Sequence, residues 1–188
     1  QTATKTHEVI EKALGGILFI DEAYQLATKG DTGTNAAFKE EAINQLIADM
    51  ENNRDKLIVI IAGYSAEIKE FLQSNQGLSS RFTNWIDFED YSAEELIAIA
   101  VKQLTSESQV CDKEASETLA KVVRETKSQN LVDGNARYVR NLLQLITQSR
   151  DARIFKKVNF SDAELNEITR EDVEAGARKS QNNNNKMK

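Results

Sequence analysis

Two acids, Asp21 and Glu22, stand side by side directly after the apolar run ILFI of Ile17–Ile20. Adjacent carboxylates repel each other unless a cation or hydrogen-bond donors lie nearby. If the run is a strand of an open parallel α/β sheet, the acids fall at its carboxyl end, where such sheets bind ligands. Four bulky apolar residues followed by Asp-Glu form the Walker B pattern. In that pattern the Asp holds Mg2+, often through water, and the Glu orients or activates the water that attacks a γ-phosphate. The competing reading is a strand that leaves the core through an acidic turn, and the pattern alone leaves the two evenly matched. Two arginine-bearing stretches tilt the balance. GLSSRF (Gly77–Phe82) puts Arg81 after a polar loop and just ahead of a candidate strand. From there a guanidinium can reach a neighbouring subunit's nucleotide and neutralise transition-state charge. DGNARYVRNLL (Asp133–Leu143) puts Arg137 and Arg140 in the first turns of a helix, from which one arginine can point back toward a nucleotide. Taken singly, loop and helix arginines are mostly solvated surface residues.

The elements that must position these groups follow from periodicity. Val9, Ile10, Ala13 and Leu14 predict a helix over Thr6–Leu14, ended by Gly15-Gly16. Ile17–Ile20 is short and uninterrupted, which predicts a strand buried on both faces. Lys29–Asn35 reads as a loop and Ala36–Met50 as an amphipathic helix. Leu57–Ala62 is a second apolar strand, and Ser65 is placed to cap a helix to Gln73. Ser74–Ser80 reads as a polar loop and Trp85–Phe88 as a short third strand. SAEE (Ser92–Glu95) is a capping box for a helix to Leu104. Helical patterns follow at Lys113–Glu125 and Ala136–Ser149, with a last helix from a Thr169 cap to Ala177. Strands and helices alternate first and helices alone follow. The fold class is therefore α/β, with a parallel sheet over residues 1–91 and a small all-helical domain over 92–178. The final QNNNNKMK is low in complexity, and 179–188 is read as a disordered Asn-rich tail.

The bulk composition excludes several functions. With 188 residues and a formal charge of -6, the chain is a poor match for non-specific nucleic-acid or anionic-membrane binding. No apolar run approaches the ~20 residues of a membrane span. The single cysteine, Cys111, can form no internal disulfide, which fits a reducing, cytoplasmic setting, and it reads as a small apolar residue. The single histidine, His7, reads as a surface residue without partners and rules out a His-rich metal site. No GxGxxG occurs, so a dinucleotide-binding dehydrogenase is disfavoured. The chain starts on Gln1 rather than Met and is expected to be a piece of a longer protein.

GGILFIDEAYQL, MENNRDKLIVIIAGYSAEIKEFLQSNQGLSSRF, DFEDYSAEEL and GNARYVRNLL together resemble the CbxX/CfqX group of AAA+ ATPases. The resemblance runs from Gln1 to Ala177, with the motifs in the group's order and spacing. It implies that Asp21 and Glu22 are the Walker B pair, with Asp21 on Mg2+, that Arg81 is the arginine finger and that Arg137 is the sensor 2 arginine. The end of the Leu57 strand becomes the sensor 1 region. There Gly63, Tyr64 and Ser65 stand where most relatives carry Asn, Ser or Thr, and the acting side chain stays open between Tyr64 and Ser65. Gln76 replaces a proline common in the group. ATP and Mg2+ are the implied cofactors. The implied partners are further copies of the chain in a head-to-tail ring, usually a hexamer, and a protein client that the ring remodels.

The phosphate-binding loop GxxxxGK[ST] is absent, since none of the eight glycines opens it. In the resembled group it lies upstream, on the central strand of a sheet ordered 5-1-4-3-2, so this chain supplies strands 3, 4 and 5 only. Such a remnant exposes apolar edges and faces, an aggregation liability. A second reading from another class therefore stands: a non-catalytic interaction module with an incomplete ATPase core.

Overall fold

The computed structural model describes residues 2–28, 30–132 and 134–186. Gln1, Lys29 of the expected loop, Asp133 of the second arginine stretch and the last two residues of the expected tail lie outside the described residues. The chain divides into two compact units, Gln1–Phe88 and Glu89–Lys188.

In the first unit, helix α1 (Thr2–Ala13) leads into strand β1 (Gly16–Ile20). The reversal between them is made at Gly15, whose φ of 81° is open to glycine at little cost and whose N–H donates to Lys56 O at 2.6 Å. After a single turn at Ala23–Leu26 come helix α2 (Thr34–Asn52) and strand β2 (Leu57–Ile61). The strands pair in parallel, with Gly16 opposite Leu57 and Ile20 opposite Ile61. Helix α3 (Ser65–Gln73) and the short α4 (Gln76–Ser79) follow.

One sheet face is covered. Leu18, Ile20 and Val59 pack with Ile10 of α1 and Leu46 of α2 around buried Leu57. A second cluster joins Ala23 and Ile43 to Ile68, Phe71, Leu72 and Leu78. The opposite face is bare. Ile17, Phe19, Ile58 and Ile60 are all exposed, although the pattern predicts burial on both sides. The helices of this unit form one layer, and a doubly covered sheet needs two.

Two other expectations fail here. Trp85–Phe88 is extended but forms no strand, because a strand needs a hydrogen-bonding neighbour and both described strands of this unit pair only with each other. Side chains hold the segment instead: Lys69 Nζ lies 5.9 Å over the Trp85 ring, and Ser65 Oγ donates to Asp87 Oδ1 at 3.3 Å. The polar loop at 74–80 contains α4, with Asn75 Oδ1 accepting from Gly77 N at 2.8 Å as its cap and Leu78 fully buried beneath.

The second unit is a helical packing of α5 (Ala93–Ser106), α6 (Lys113–Ser128), α7 (Ala136–Ile154), the short α8 (Asp162–Asn166) and α9 (Arg170–Lys186). Its core repeats at helical spacing: Leu96, Ala100 and Leu104 on α5, and Ala115, Leu119 and Val123 on α6, against Leu142, Leu143 and Ile146 of α7. The Ser92 capping box forms as read, with Ser92 N donating to Glu95 Oε2 at 2.8 Å and Glu95 N to Ser92 Oγ at 3.2 Å. The sequence reading missed a two-residue parallel ladder, β3 (Val110–Cys111) with β4 (Glu167–Ile168), and also α8. Helix α9 continues to Lys186, well past Ala177 and through most of the segment read as a disordered tail. No glycine or proline follows Gly176 to stop it, and the Asn residues only lower helix propensity modestly.

Candidate functional site

The site is built on the shared carboxyl edge of β1 and β2. Because the strands are in register, they end together. The ladder runs on for one step, with Ala62 N donating to Ile20 O at 2.9 Å and Ala23 N to Ala62 O at 3.1 Å. Asp21–Glu22 and Gly63–Ser65 therefore emerge side by side. The acids are exposed while the next residue, Ala23, is buried, so the chain turns back into the core immediately after them.

That turn is made at Glu22, which sits in the left-handed region at φ 49° and ψ 41°. A non-glycine residue there costs about 1 kcal/mol or more. The turn directs Glu22 N onto Asp21 Oδ1 at 2.9 Å. Gln25 Nε2 donates to Glu22 Oε2, so a neutral amide fixes one acid while a backbone N–H fixes the other. This is how the repulsion between adjacent carboxylates is relieved with no basic side chain in the pair.

Tyr24 and Tyr64 form the wall beside the acids, with ring centroids 6.3 Å apart and planes tilted by 35°. Burial pushes the Tyr24 phenol up, and the charge of Glu22 adds to the shift. Gly63 is required by contact: a Cβ would lie 2.8 Å from the Tyr24 ring and 3.0 Å from Ile68 Cδ1. Tyr64, not Ser65, occupies the cap position of α3, and Tyr64 O accepts from Ile68 N at 2.9 Å. Ser65 is the first residue of α3 and its hydroxyl is engaged with Asp87. The exposed Tyr64 ring is thus the less committed of the two sensor candidates. Asp21 also borders an open, mainly apolar cleft of about 480 Å3 between α1, β1 and α2, in which Lys5 is another polar group.

Arg81 lies in the same unit, just after α4, but its guanidinium is bound within its own chain. Nη2 is 2.9 Å from Glu51 Oε2 and Nη1 donates to Gly77 O at 3.0 Å. Arg137 and Arg140 belong to the second unit, where both are exposed on the first turns of α7. Asn135 fixes the start of that helix: its Nδ2 donates to Asp90 Oδ1 at 2.7 Å and its Oδ1 accepts from Tyr91 N at 3.2 Å. The Asn135 hydrogen bond, with Lys127 nearby, holds the Asp90 carboxyl below its ordinary range. Sequence reasoning missed Gln25, Glu51 and Asn135 as orienting partners. Asn135 and Gln25 had a local signal, since each stands within three residues of a group it helps to place.

Among the described residues, no three His, Cys, Asp or Glu side chains converge on one point. A hard divalent cation here would draw one carboxylate from Asp21 and the rest of its oxygen shell from phosphate and water, as Mg2+ commonly does. The exposed, oxygen-only chemistry of Asp21 fits that ion. Among the described residues no helix is long and apolar enough to cross a membrane.

Residues 1–90 match the family described as ATPases associated with various cellular activities (AAA), and residues 92–183 match the AAA lid domain. The chain is 40% identical over 183 residues to the ESX-1 secretion system protein EccA1 of Mycobacterium tuberculosis, covering 92% of this chain and 32% of that protein. It is 39% identical over 191 residues to the ESX-3 secretion system protein EccA3 of Mycolicibacterium smegmatis, covering 94% and 31% respectively. The chain thus spans about a third of the length of these curated relatives. In fold it resembles the crystal structure of the FIGL-1 AAA domain, with a TM-score of 0.63 at 15% identity, covering 99% of this chain and 60% of that one.

Proposed function

We propose that the chain, which belongs to the AAA ATPase family, is the Walker B and lid portion of a CbxX/CfqX-type subunit that couples ATP hydrolysis to remodelling of a protein client. The observation that carries this reading is the common carboxyl edge of two parallel strands, which delivers Asp21, Glu22, Tyr64 and Ser65 to one place. Asp21 would hold Mg2+, which would supply charge neutralisation across the phosphates of a bound nucleotide. Glu22, fixed in its turn by Gln25, orients the attacking water and accepts its proton. Arg81 acts on the neighbouring subunit's nucleotide and Arg137 on its own, within a homo-oligomeric ring, a hexamer. Tyr64 or Ser65 reports the γ-phosphate state to α3. The phosphate-binding loop comes from chain upstream of Gln1, and that same chain supplies the layer absent from the bare face of β1 and β2. Residues 1–91 form the nucleotide-binding part and 92–178 the lid. The kinship with ESX secretion-system proteins favours a client handled in protein secretion. The single cysteine favours the cytoplasm as the place of action.

The test uses a subunit extended upstream until a Gly-Lys-Thr or Gly-Lys-Ser loop is included. Glu22→Gln should bind a fluorescent ATP analogue with Mg2+ normally and cut turnover by about 100-fold or more, the scale of a lost positioned base. Unchanged turnover overturns the assignment. The second reading, a non-catalytic interaction module, is favoured by the missing phosphate-binding loop. Failure of both the chain and its extended form to bind the analogue would establish it.

A further inference from the structure

An arginine that acts on a neighbour must be able to leave its own subunit, and Arg81 is held at home from three sides. Its Nη2 meets Glu51 Oε2 at 2.9 Å, its Nη1 donates to Gly77 O at 3.0 Å, and the same Nη1 reaches Ser80 Oγ at 3.5 Å. Only 27% of the Arg81 side chain is exposed, against 58% of Glu51. Nε is shielded and finds no acceptor among the described residues. The berth is rigid on the Gly77 side: a Cβ there would come within 2.9 Å of Ile47 Cδ1 and 3.0 Å of Asn75 Oδ1. On its open side its carboxylate partner is Glu51, at the last turn of α2.

We propose that Glu51 is a positioning residue that stows Arg81 against its own subunit, so that the arginine is delivered only when a neighbour's nucleotide competes for it. The inference rests on the reading of Arg81 as the arginine finger. A carboxylate and a phosphoryl group compete for the same guanidinium N–H groups, and Glu51 occupies Nη2 while Gly77 O occupies Nη1. The phosphoryl group carries more charge and sits in a drier interface, so it wins on assembly. Glu51 is more than half exposed, and exposed pairs are weak. The latch therefore biases a population and does not lock it. The stowed state also leaves Nε without an acceptor, so the arginine gives up little by leaving.

The experiment measures single-turnover ATP hydrolysis in the upstream-extended, ring-forming subunit. Glu51→Gln keeps the shape and removes the charge. Hydrolysis should rise by about two- to fivefold, the range open to an exposed ion pair, with nucleotide affinity unchanged. The melting midpoint of the first unit should stay unchanged in Glu51→Gln while hydrolysis rises, a split that a merely structural role for Glu51 would not produce. Equal or slower hydrolysis by folded, assembled Glu51→Gln overturns the latch. If that variant fails to fold, Glu51→Asp, which shortens the reach, must give a smaller rise, and no rise overturns the proposal. Arg81→Ala alone separates the layers. If it retains full turnover, the finger assignment itself falls. If it abolishes turnover while Glu51→Gln raises nothing, only the latch falls.

Discussion

His7 shows how far one residue's role can lie from its sequence neighbours. Its Nδ1 meets both carboxylate oxygens of Asp49, at 3.1 and 3.0 Å, and Gln45 Nε2 donates to the same carboxylate at 3.0 Å. Asp49 is only 3% exposed, so His7 ties α1 to α2 through an acid that needs partners. The sequence reading of a surface histidine without partners is therefore corrected. Helical spacing says which face His7 occupies, but not which helix 42 residues later will meet that face. The acids at 21 and 22 were legible because their signal is local. The hydrogen bond that His7 donates to Asp49, then the charge of Asp49, raises the His7 pKa above 6.5, with Glu11 and Glu8 adding to the effect. A raised folded-state pKa means the pair's contribution is fully present below the unfolded value. It is lost as pH rises through the folded value. With one histidine in the chain, an imidazole titration followed by NMR gives a single curve. Its midpoint should lie above 6.5 and fall toward that value in Asp49→Asn. Amides of α1 should exchange faster above the midpoint. A wild-type midpoint at or below the ordinary value would break the link between α1 and α2 as described.

At the scale of elements, α7 and α9 pack tightly against each other in the second unit, and Gly176 makes this possible. A Cβ on Gly176 would lie 2.6 Å from Ile146 Cγ1, 2.8 Å from Ile146 N and 2.9 Å from Ile146 Cα. Two of those atoms are backbone and cannot swing aside. Replacing a helical glycine by alanine ordinarily gains about 1 kcal/mol. Overpacking against backbone costs about 1–3 kcal/mol, so the clash outweighs the propensity. Gly176→Ala should therefore lower the stability of the second unit by up to roughly 2 kcal/mol, read as a fall in the urea midpoint with an unchanged slope. A stabilised variant would mean that α7 and α9 separate more readily than this packing indicates. Elements with local signals were legible in the sequence: the Ser92 box, the apolar stripes of α2 and α6, and both apolar strands. Three were not. Helix α4 is a single turn built around one buried leucine. The β3–β4 ladder joins two-residue segments 57 positions apart by its register of Val110 with Glu167. The Trp85–Phe88 segment has strand composition but no strand to join.

At the scale of the molecule, the sheet is built for a second layer. In register, Ile17 lies beside Ile58 and Phe19 beside Ile60, and all four are 43–60% exposed on one face. Burying such side chains is worth about 1.5–3 kcal/mol each, so the face forgoes several kcal/mol that its composition could supply. Charge does not offset this within the strands, since Gly16–Ile20 and Leu57–Ile61 carry none. An open apolar face with free strand edges pairs with whatever is available, including itself. The 188-residue chain alone should self-associate with rising concentration and bind the dye ANS, both measurable by light scattering and fluorescence. Phe19→Thr with Ile60→Thr should reduce both signals and leave the second unit's unfolding unchanged. The same pair placed in the upstream-extended subunit should act in the opposite sense. On the proposed reading the face is covered there, and the substitutions should cost about 2–4 kcal/mol together. A monodisperse, cooperatively melting chain that ignores ANS would count heavily against the reading of the bare face as an inner surface. A sign change between short and extended forms is an outcome that general surface stickiness cannot produce, because stickiness carries no penalty for becoming polar.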